Sequence, residues 1–375
     1  MRIMLIRTLD EQHIYSIFTR SLCEAFRAYG VDADVFDYPD NSSNFVSTLI
    51  HNRYDVVISF SSFMGDATID NGISIYDALG VNFLGWQFDH PIYIDHFISN
   101  PAVRRHSIYP NVNHIRFVEA AGLIGGNTVL LPGADPSDIV VKDFADRNMD
   151  VFAAATWNGL PIRHWEALED SPAKRIIARV VDFLIEDPEA SLIDSYKNTL
   201  DDLGYNGLAL NKDIFPLLRA ALTYVRHLDR IKALKNLASS GISLTVCGDG
   251  WEEFLSEHKN VRFIPNIPFP KAIALYGDAK VAVNLNAGNG GCERAINAMI
   301  RGSCVVSEFS STLSASFSKE EIKFFDRRSL SGISESVAEI LESDGAEDIA
   351  ARGMKKAAGS MLWVHKVVTI MDIFR

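Results

Sequence analysis

The sequence predicts an α/β protein of two parallel-sheet domains, and three observations carry that prediction. Short apolar runs alternate with amphipathic segments from the first residues onward, the pattern of a parallel sheet covered by helices on both faces. A Pro/Gly cluster, Pro132-Gly133-Ala134-Asp135-Pro136, interrupts this alternation and marks a boundary. Between Leu244 and Glu308 the order strand, glycine-rich loop, helix, strand recurs, with glycines where the chain turns tightly and admits a ligand close to backbone. A length of 375 residues is enough for two domains of ordinary size.

In the first domain, residues 1–145, Arg2–Ile6 reads as a strand. His13–Tyr29 follows with apolar residues at Ile14, Ile17, Phe18, Leu22, Ala25 and Phe26, which is helical spacing, and Gly30 is a suitable stop. Ala33–Phe36 is a second strand, Phe45–Ile50 a helix, and Asp55–Phe60 a third strand before Ser61-Ser62. Ile73–Leu79 is helical and Val81–Trp86 is another strand; Thr128–Leu131 is a last apolar run before the boundary.

The second domain, residues 146–360, opens with the strand Asp150–Ala155. A charged, helical insertion over about 165–237 separates it from the next strand, Leu244–Cys247. The insertion contains amphipathic Arg175–Ile185, stopped by Asp187-Pro188, then Leu192–Leu203 and Ile214–Leu237. Val281–Leu285 ends in the loop Ala287-Gly288-Asn289-Gly290-Gly291, the helix Glu293–Ile300 stops at Arg301-Gly302, and a further apolar run opens at Cys304. A helix N-terminus after such a loop attracts phosphate through its unpaired N–H groups. Residues 361–375 form a final helical segment whose apolar face is expected from Trp363, Val364, Val367 and Ile370.

Composition removes several function classes. Hydrophobic residues make up 47% and charged residues 22%, which is the profile of a globular chain. A net charge of −12 argues against nucleic acid as the main partner and against broad attachment to anionic lipid. Cys23, Cys247, Cys292 and Cys304 form no Cys-x-x-Cys pair and no zinc-type spacing with histidine, so no metal site is expected. The opening Met1–Ile6 is too short for a signal-peptide core, and no stretch approaches the roughly 20 apolar residues of a membrane span, so a reducing cytoplasmic setting is the expectation.

Residues 240–310 resemble the nucleotide-binding half of GT-B glycosyltransferases, which have two facing Rossmann-like domains. The likeness is strongest to the group-1-like branch that includes the CgeB-type proteins. The corresponding residues are Cys247-Gly248-Asp249-Gly250-Trp251, then Val283-Asn284-Leu285-Asn286, then Glu293-Arg294-Ala295-Ile296-Asn297-Ala298-Met299-Ile300-Arg301-Gly302. The resemblance implies two domains facing one cleft, with the last helix crossing back to the first domain. It also implies a nucleotide-sugar donor as substrate, no separate cofactor, and a glycan, lipid-linked or small-molecule acceptor. Many retaining group-1 enzymes carry two glutamates where this chain has Asn289 and Asn297. Asparagine hydrogen-bonds without charge, so the stereochemical outcome stays open.

The candidate donor-binding residues follow from these segments. Glu293 opens the helix after the glycine loop, where a carboxylate accepts two hydrogen bonds from ribose hydroxyls or simply complements the helix dipole. Arg294 stands beside it. Gly248, Asp249, Gly250 and Trp251, together with Asn286, Gly290, Gly291 and Asn297, complete the motif. The loop Thr156-Trp157-Asn158-Gly159 follows the first strand of the domain, and its Thr156, Asn158 and Gly159 suit diphosphate oxygens. A cation is needed as the leaving diphosphate gains charge. Arg163, Arg226 and Arg230 are available, and Arg230 matches the family's Arg-x-x-x-Leu helix.

In the first domain Trp86-Gln87-Phe88-Asp89-His90-Pro91 follows a strand and resembles the branch's Trp-x-x-Asp-x-Pro segment. Asp89 or His90 is a candidate base for an acceptor hydroxyl, the alternative for Asp89 being a loop cap. His13 and His114 are further candidate bases. No Asp-x-Asp follows a strand, so metal-independent transfer is expected. A GT-B-type sugar-nucleotide epimerase and a non-catalytic sugar-nucleotide-binding or assembly protein are the other readings.

Overall fold

A computed structural model describes residues 1–8, 13–38, 40–69, 71–99, 102–123, 125–136, 141–187, 189–205, 207–285, 292–327 and 331–375. The chain forms two compact units. Met1–Asp135 together with Met361–Arg375 make the first, and Pro136–Ser360 make the second.

The first unit is built on a six-stranded, all-parallel sheet: β1 (Arg2–Arg7), β2 (Asp32–Asp37), β3 (Val56–Phe60), β4 (Asn82–Trp86), β5 (Arg105–Tyr109) and β6 (Gly126–Val129), in spatial order β2-β1-β3-β4-β5-β6. Val56–Phe60 is buried on both faces, which is why it reads as a continuous apolar run. The helix Ile14–Ala28 covers one face and reaches its stop at Gly30, whose φ of +80° favours glycine. Helix Trp363–Ile373 packs on it. Trp363 lies with Phe18, Phe60 and Trp86 in an aromatic cluster, at ring-centroid separations of 5.0, 5.9 and 5.4 Å. A Cβ at Gly133 would overlap the Trp363 ring.

Trp363, Val367 and Ile370 are buried, but Val364 is 38% exposed and does not belong to the apolar face assigned from the sequence. Positions 363, 367 and 370 follow the helical repeat; 364 falls one step outside it. Lys366 is buried instead, with Nζ 3.3 Å from Met361 Sδ.

The second unit is a second six-stranded parallel sheet: β7 (Met149–Ala154), β8 (Leu244–Cys247), β9 (Val261–Ile264), β10 (Ala279–Asn284), β11 (Cys304–Glu308) and β12 (Lys323–Phe325), in spatial order β12-β11-β10-β7-β8-β9. Both units are therefore Rossmann-like. The insertion between β7 and β8 is three helices, Pro172–Glu186, Leu192–Leu203 and Phe215–Ser239, with the first packed on the other two. Ser171 and Ser191 cap the first two through side-chain oxygens, and Pro172 takes the first helical position, where its missing N–H has no consequence. No helix among the described residues is long and apolar enough to cross a membrane.

Candidate active site

The second sheet grows from β7 to β8 and β9 on one side, then returns to β10 on the other. The order therefore reverses between β7 and β10, and α/β folds bind ligands outside the carboxyl ends of the strands at such a point. A cavity of about 280 Å³ lies there. Its wall includes Ala154, Ala155 and Thr156 at the end of β7, Cys247 and Gly248 at the end of β8, Asn266, Ile267 and Phe269 beyond β9, Tyr276, Arg230, and Glu293 with Arg294.

Each wall segment is fixed by an identifiable bond. The Trp251 indole Nε1 donates to the Ala155 carbonyl oxygen at 2.8 Å. Gly248 has φ +142°, and a Cβ there would overlap that same oxygen, so only glycine lets the two loops meet. A Cβ at Gly250, φ +86°, would strike the Trp157 ring. Asp249 accepts from the Asn266 backbone N–H at 2.7 Å, tying the loop after β8 to the one after β9. At the start of helix Glu293–Ile300, the Cys292 thiol donates to Asn284 Oδ1 at 2.8 Å, and Asn284 Nδ2 donates to Ser307 Oγ at 2.9 Å. The helix start is thereby fastened to β10 and β11.

Two guanidinium groups enter this wall. Arg230 Nη1 donates to the Thr156 carbonyl at 2.9 Å, and Arg294 Nη1 to the Ala154 carbonyl at 3.0 Å. Glu293 Oε1 lies 3.9 Å from Arg294 Nε. Burial, with the like charges of Arg294 and Arg226, pushes the Arg230 guanidinium down to about 10, so it stays charged at neutral pH. Burial also opposes charge on Arg294, but Cys292 and Glu293 outweigh it and hold that guanidinium above its ordinary range. Glu308 is buried at the end of β11. Burial pushes its carboxyl up to about 7; the nearby Arg327, Arg230 and Arg294 pull it down, and Asp229 pushes it further up.

The sequence-derived candidates fall into three groups. Thr156, Arg230, Gly248, Glu293 and Arg294 share the cavity wall. Asp249, Gly250 and Trp251 shape that wall through the contacts above, and Gly248 has its own N–H engaged by Ile264. Asn158 is exposed beyond the wall, with Gly159 beside it at φ +83°. Asn297 is buried, its amide donating to the Glu293 carbonyl and accepting from Arg301. Arg163 bonds Tyr224 away from the wall. Asn286, Gly290 and Gly291 lie outside the described residues.

In the first unit Asp89 is half-buried after β4. His90, rather than Asp89, caps the short helix beginning at Pro91, its Nδ1 accepting from Ile92 N–H at 3.2 Å. His13 caps Ile14–Ala28 in the same way, accepting from Tyr15 N–H at 3.3 Å. A neutral imidazole whose Nδ1 accepts carries its proton on Nε2. His114 is fully buried, with its ring 4.9 Å from that of His90.

Residues 226–372 match the family model described as glycosyl transferase-like. No curated protein matches the chain in sequence. Among solved structures, it is similar to a glycosyltransferase from Rickettsia africae, with TM-score 0.57 and 8% identity over 100% of this chain and 97% of that one. Sucrose-phosphate synthase from Thermosynechococcus elongatus matches with TM-score 0.54 and 11% identity, over 100% and 98%. The chain has the GT-B glycosyltransferase fold. HepE from Anabaena, solved in complex with UDP and glucose, shares that GT-B fold at TM-score 0.54 and 9% identity, over 99% of both chains. The family match spans residues 226–372, less than half of the chain, and the likeness to the solved structures is one of fold. Sequence reasoning missed Asn266, Phe269 and Tyr276; the run Phe263-Ile264-Pro265-Asn266-Ile267-Pro268-Phe269, two prolines framing a loop after a strand, was the available signal for the first two.

Proposed function

We propose that the chain moves a sugar from a nucleotide-sugar donor to an acceptor hydroxyl, in glycan or glycoconjugate synthesis. The observation that carries this reading is the pair Arg230 and Arg294 beside Glu293 at the reversal point of the second sheet. Two fixed positive charges suit a diphosphate, whose charge grows as the glycosidic bond to the donor breaks. Glu293 suits the ribose hydroxyls. The two guanidiniums supply the charge stabilisation that a metal ion supplies elsewhere, which supports transfer without a metal.

Asp89 is the proposed base. His90 and His13 are disfavoured because their neutral rings carry the proton on Nε2, and His114 is buried away from any acceptor. The bonded and buried Asn297 supports no donor role for that position. The Glu293-Arg294 helix start, with Gly248-Asp249-Gly250-Trp251, supports placing the chain in the branch related to CgeB-type proteins. Free, buried cysteines suit the cytoplasm, where nucleotide sugars are available.

The test incubates the full chain with UDP-, GDP- and dTDP-sugars in EDTA, following nucleoside diphosphate release with and without candidate acceptors. UDP-glucose is the first probe, given the ligands of HepE. Release in EDTA is expected with one donor; no turnover and no binding with any donor would sink the proposal.

A further inference from the structure

Tyr276 lines the cavity of the second unit, yet the donor reading gives its hydroxyl no part. The residue is 2% exposed and belongs to the short helix Leu275–Asp278 that leads into β10. Two contacts hold it. Its carbonyl accepts from Ser303 Oγ at 2.6 Å, and its ring stands edge-on to Phe152 of β7, with centroids 5.1 Å apart. Both engage the backbone or the ring. The hydroxyl itself is buried and has no hydrogen-bond partner among the described residues. A buried polar group left so is a cost to the folded chain, and native chains rarely carry one without a use for it.

Two more donors in the same wall share this condition. Arg230 Nε and Arg294 Nε are buried, and neither makes a hydrogen bond among the described residues. The Glu293 carboxylate lies 3.9 Å from Arg294 Nε, beyond hydrogen-bond distance. The Thr156 and Ala154 carbonyls occupy the Nη1 atoms of these arginines and leave the Nε–H groups over. Arg294, Cys292, Glu293 and Cys247 act electrostatically on the Tyr276 hydroxyl, which sets it beside the start of helix Glu293–Ile300 and the end of β8. One cavity wall thus holds three unused donors. Such a wall suits a ligand rich in acceptor oxygens, above all an anionic one. We propose that Tyr276 is a further donor-binding residue: its hydroxyl donates a hydrogen bond to an oxygen of the nucleoside diphosphate, alongside Arg230 and Arg294.

This inference rests on the donor reading above. Burial holds the phenol above its ordinary range, so the hydroxyl keeps its proton and donates. Reaching a buried hydroxyl takes a side-chain adjustment in the wall, which is common on binding. The consequence is a difference in sign between stability and affinity. In the empty chain the hydroxyl bonds nothing, so its removal leaves stability unchanged or higher. In the complex it bonds a charged acceptor, so its removal weakens binding. A tyrosine kept only for packing shows no loss of affinity, because phenylalanine preserves the ring against Phe152.

The experiment is titration calorimetry of UDP-glucose and UDP on the full chain as wild type, Tyr276→Phe and Tyr196→Phe, with the Tm of each protein measured without ligand. GDP- and dTDP-sugars with their diphosphates take the place of the uridine pair if UDP-glucose does not bind. Tyr196 is the matched control. It is 1% exposed in helix Leu192–Leu203, its hydroxyl is likewise buried without a partner among the described residues, and it lies outside the cavity wall. Tyr276→Phe should weaken UDP-glucose and UDP by the same factor, roughly 10- to 150-fold, with Tm unchanged or raised. Tyr196→Phe should keep both Kd values. Unchanged affinity in Tyr276→Phe, a loss confined to the sugar-bearing ligand, or an equal loss in Tyr196→Phe overturns the inference and leaves the transferase reading standing. A lowered Tm or a failure of Tyr276→Phe to fold also overturns it, since either shows the hydroxyl at work without ligand. Failure of UDP-, GDP- and dTDP-sugars alike to bind the wild type overturns both.

Discussion

Replacing Trp251 with phenylalanine tests whether the Ala155 carbonyl organises the site. Phenylalanine keeps a six-membered ring against Trp157 and Phe254, whose rings lie 4.9 and 6.3 Å from the indole. It removes the Nε1–H that reaches Ala155 at 2.8 Å, leaving a buried acceptor without that donor. An unsatisfied buried group costs about 1–3 kcal/mol, and the vacated pyrrole volume adds about 1 kcal/mol. The sum is about 2–4 kcal/mol. For a unit the size of Pro136–Ser360, each kcal/mol lowers Tm by about 2–4 °C, so a fall of roughly 4–16 °C follows. Scanning calorimetry on the full chain measures it. Donor affinity should weaken in parallel, because Arg230 is oriented by the next residue's carbonyl, Thr156. A variant within about 0.5 kcal/mol of wild type, with unchanged UDP-glucose affinity, would refute the role given to this hydrogen bond.

Glu293→Ala should weaken donor binding by about 1.5–3 kcal/mol, roughly 10- to 150-fold in Kd, measured by titration calorimetry on the folded variant; unchanged affinity would reduce Glu293 to a helix-dipole partner. Asp89→Asn should lower turnover by about 10²–10⁴-fold while leaving donor Kd near wild type, and a full-rate variant would remove this residue from the chemistry. Burial pushes Lys366 down to about 8 from 10.5, so between those values the unfolded chain binds more protons than the folded one. Wild-type stability should therefore rise with pH across that window, and Lys366→Met should stabilise the first unit at pH 7 by on the order of 2–3 kcal/mol. Urea unfolding at pH 7 and 10 checks the sign, since a destabilised Met variant would contradict it.

Most strands that sequence reading found lie inside the sheets, although the partly exposed edge strand β2 was legible too. β3, β8 and β11 are unbroken buried runs, and an apolar run is what a covered parallel strand requires. The strands it missed lie toward the sheet margins, where one flank faces solvent. β6 (Gly126–Val129) and β9 (Val261–Ile264) are half-exposed along their length, and β12 has only three residues. β5 hides differently: Arg105 is buried, its guanidinium donating to the Gly65 carbonyl, so a charged residue stands in a core strand. At the site, glycine spacing made Gly248 and Glu293 visible, because backbone approach leaves a compositional mark. Tyr276 and Asn266 carry no such mark. Glu308 reads as the polar end of an apolar strand, and its burial becomes visible only with β12 paired beside it.

The split make-up of the first unit has a consequence for synthesis on the ribosome. Its sheet is encoded entirely before Asp135, yet the helix that caps Phe18, Phe60 and Trp86 emerges only after all of Pro136–Ser360. At about 5–20 residues per second, that aromatic face stays uncovered for on the order of ten seconds or more while the second unit is made. The nascent first unit is thus a natural client for chaperones. Loss of Met361–Arg375 should appear first as aggregation during expression, before any effect on catalysis can be measured.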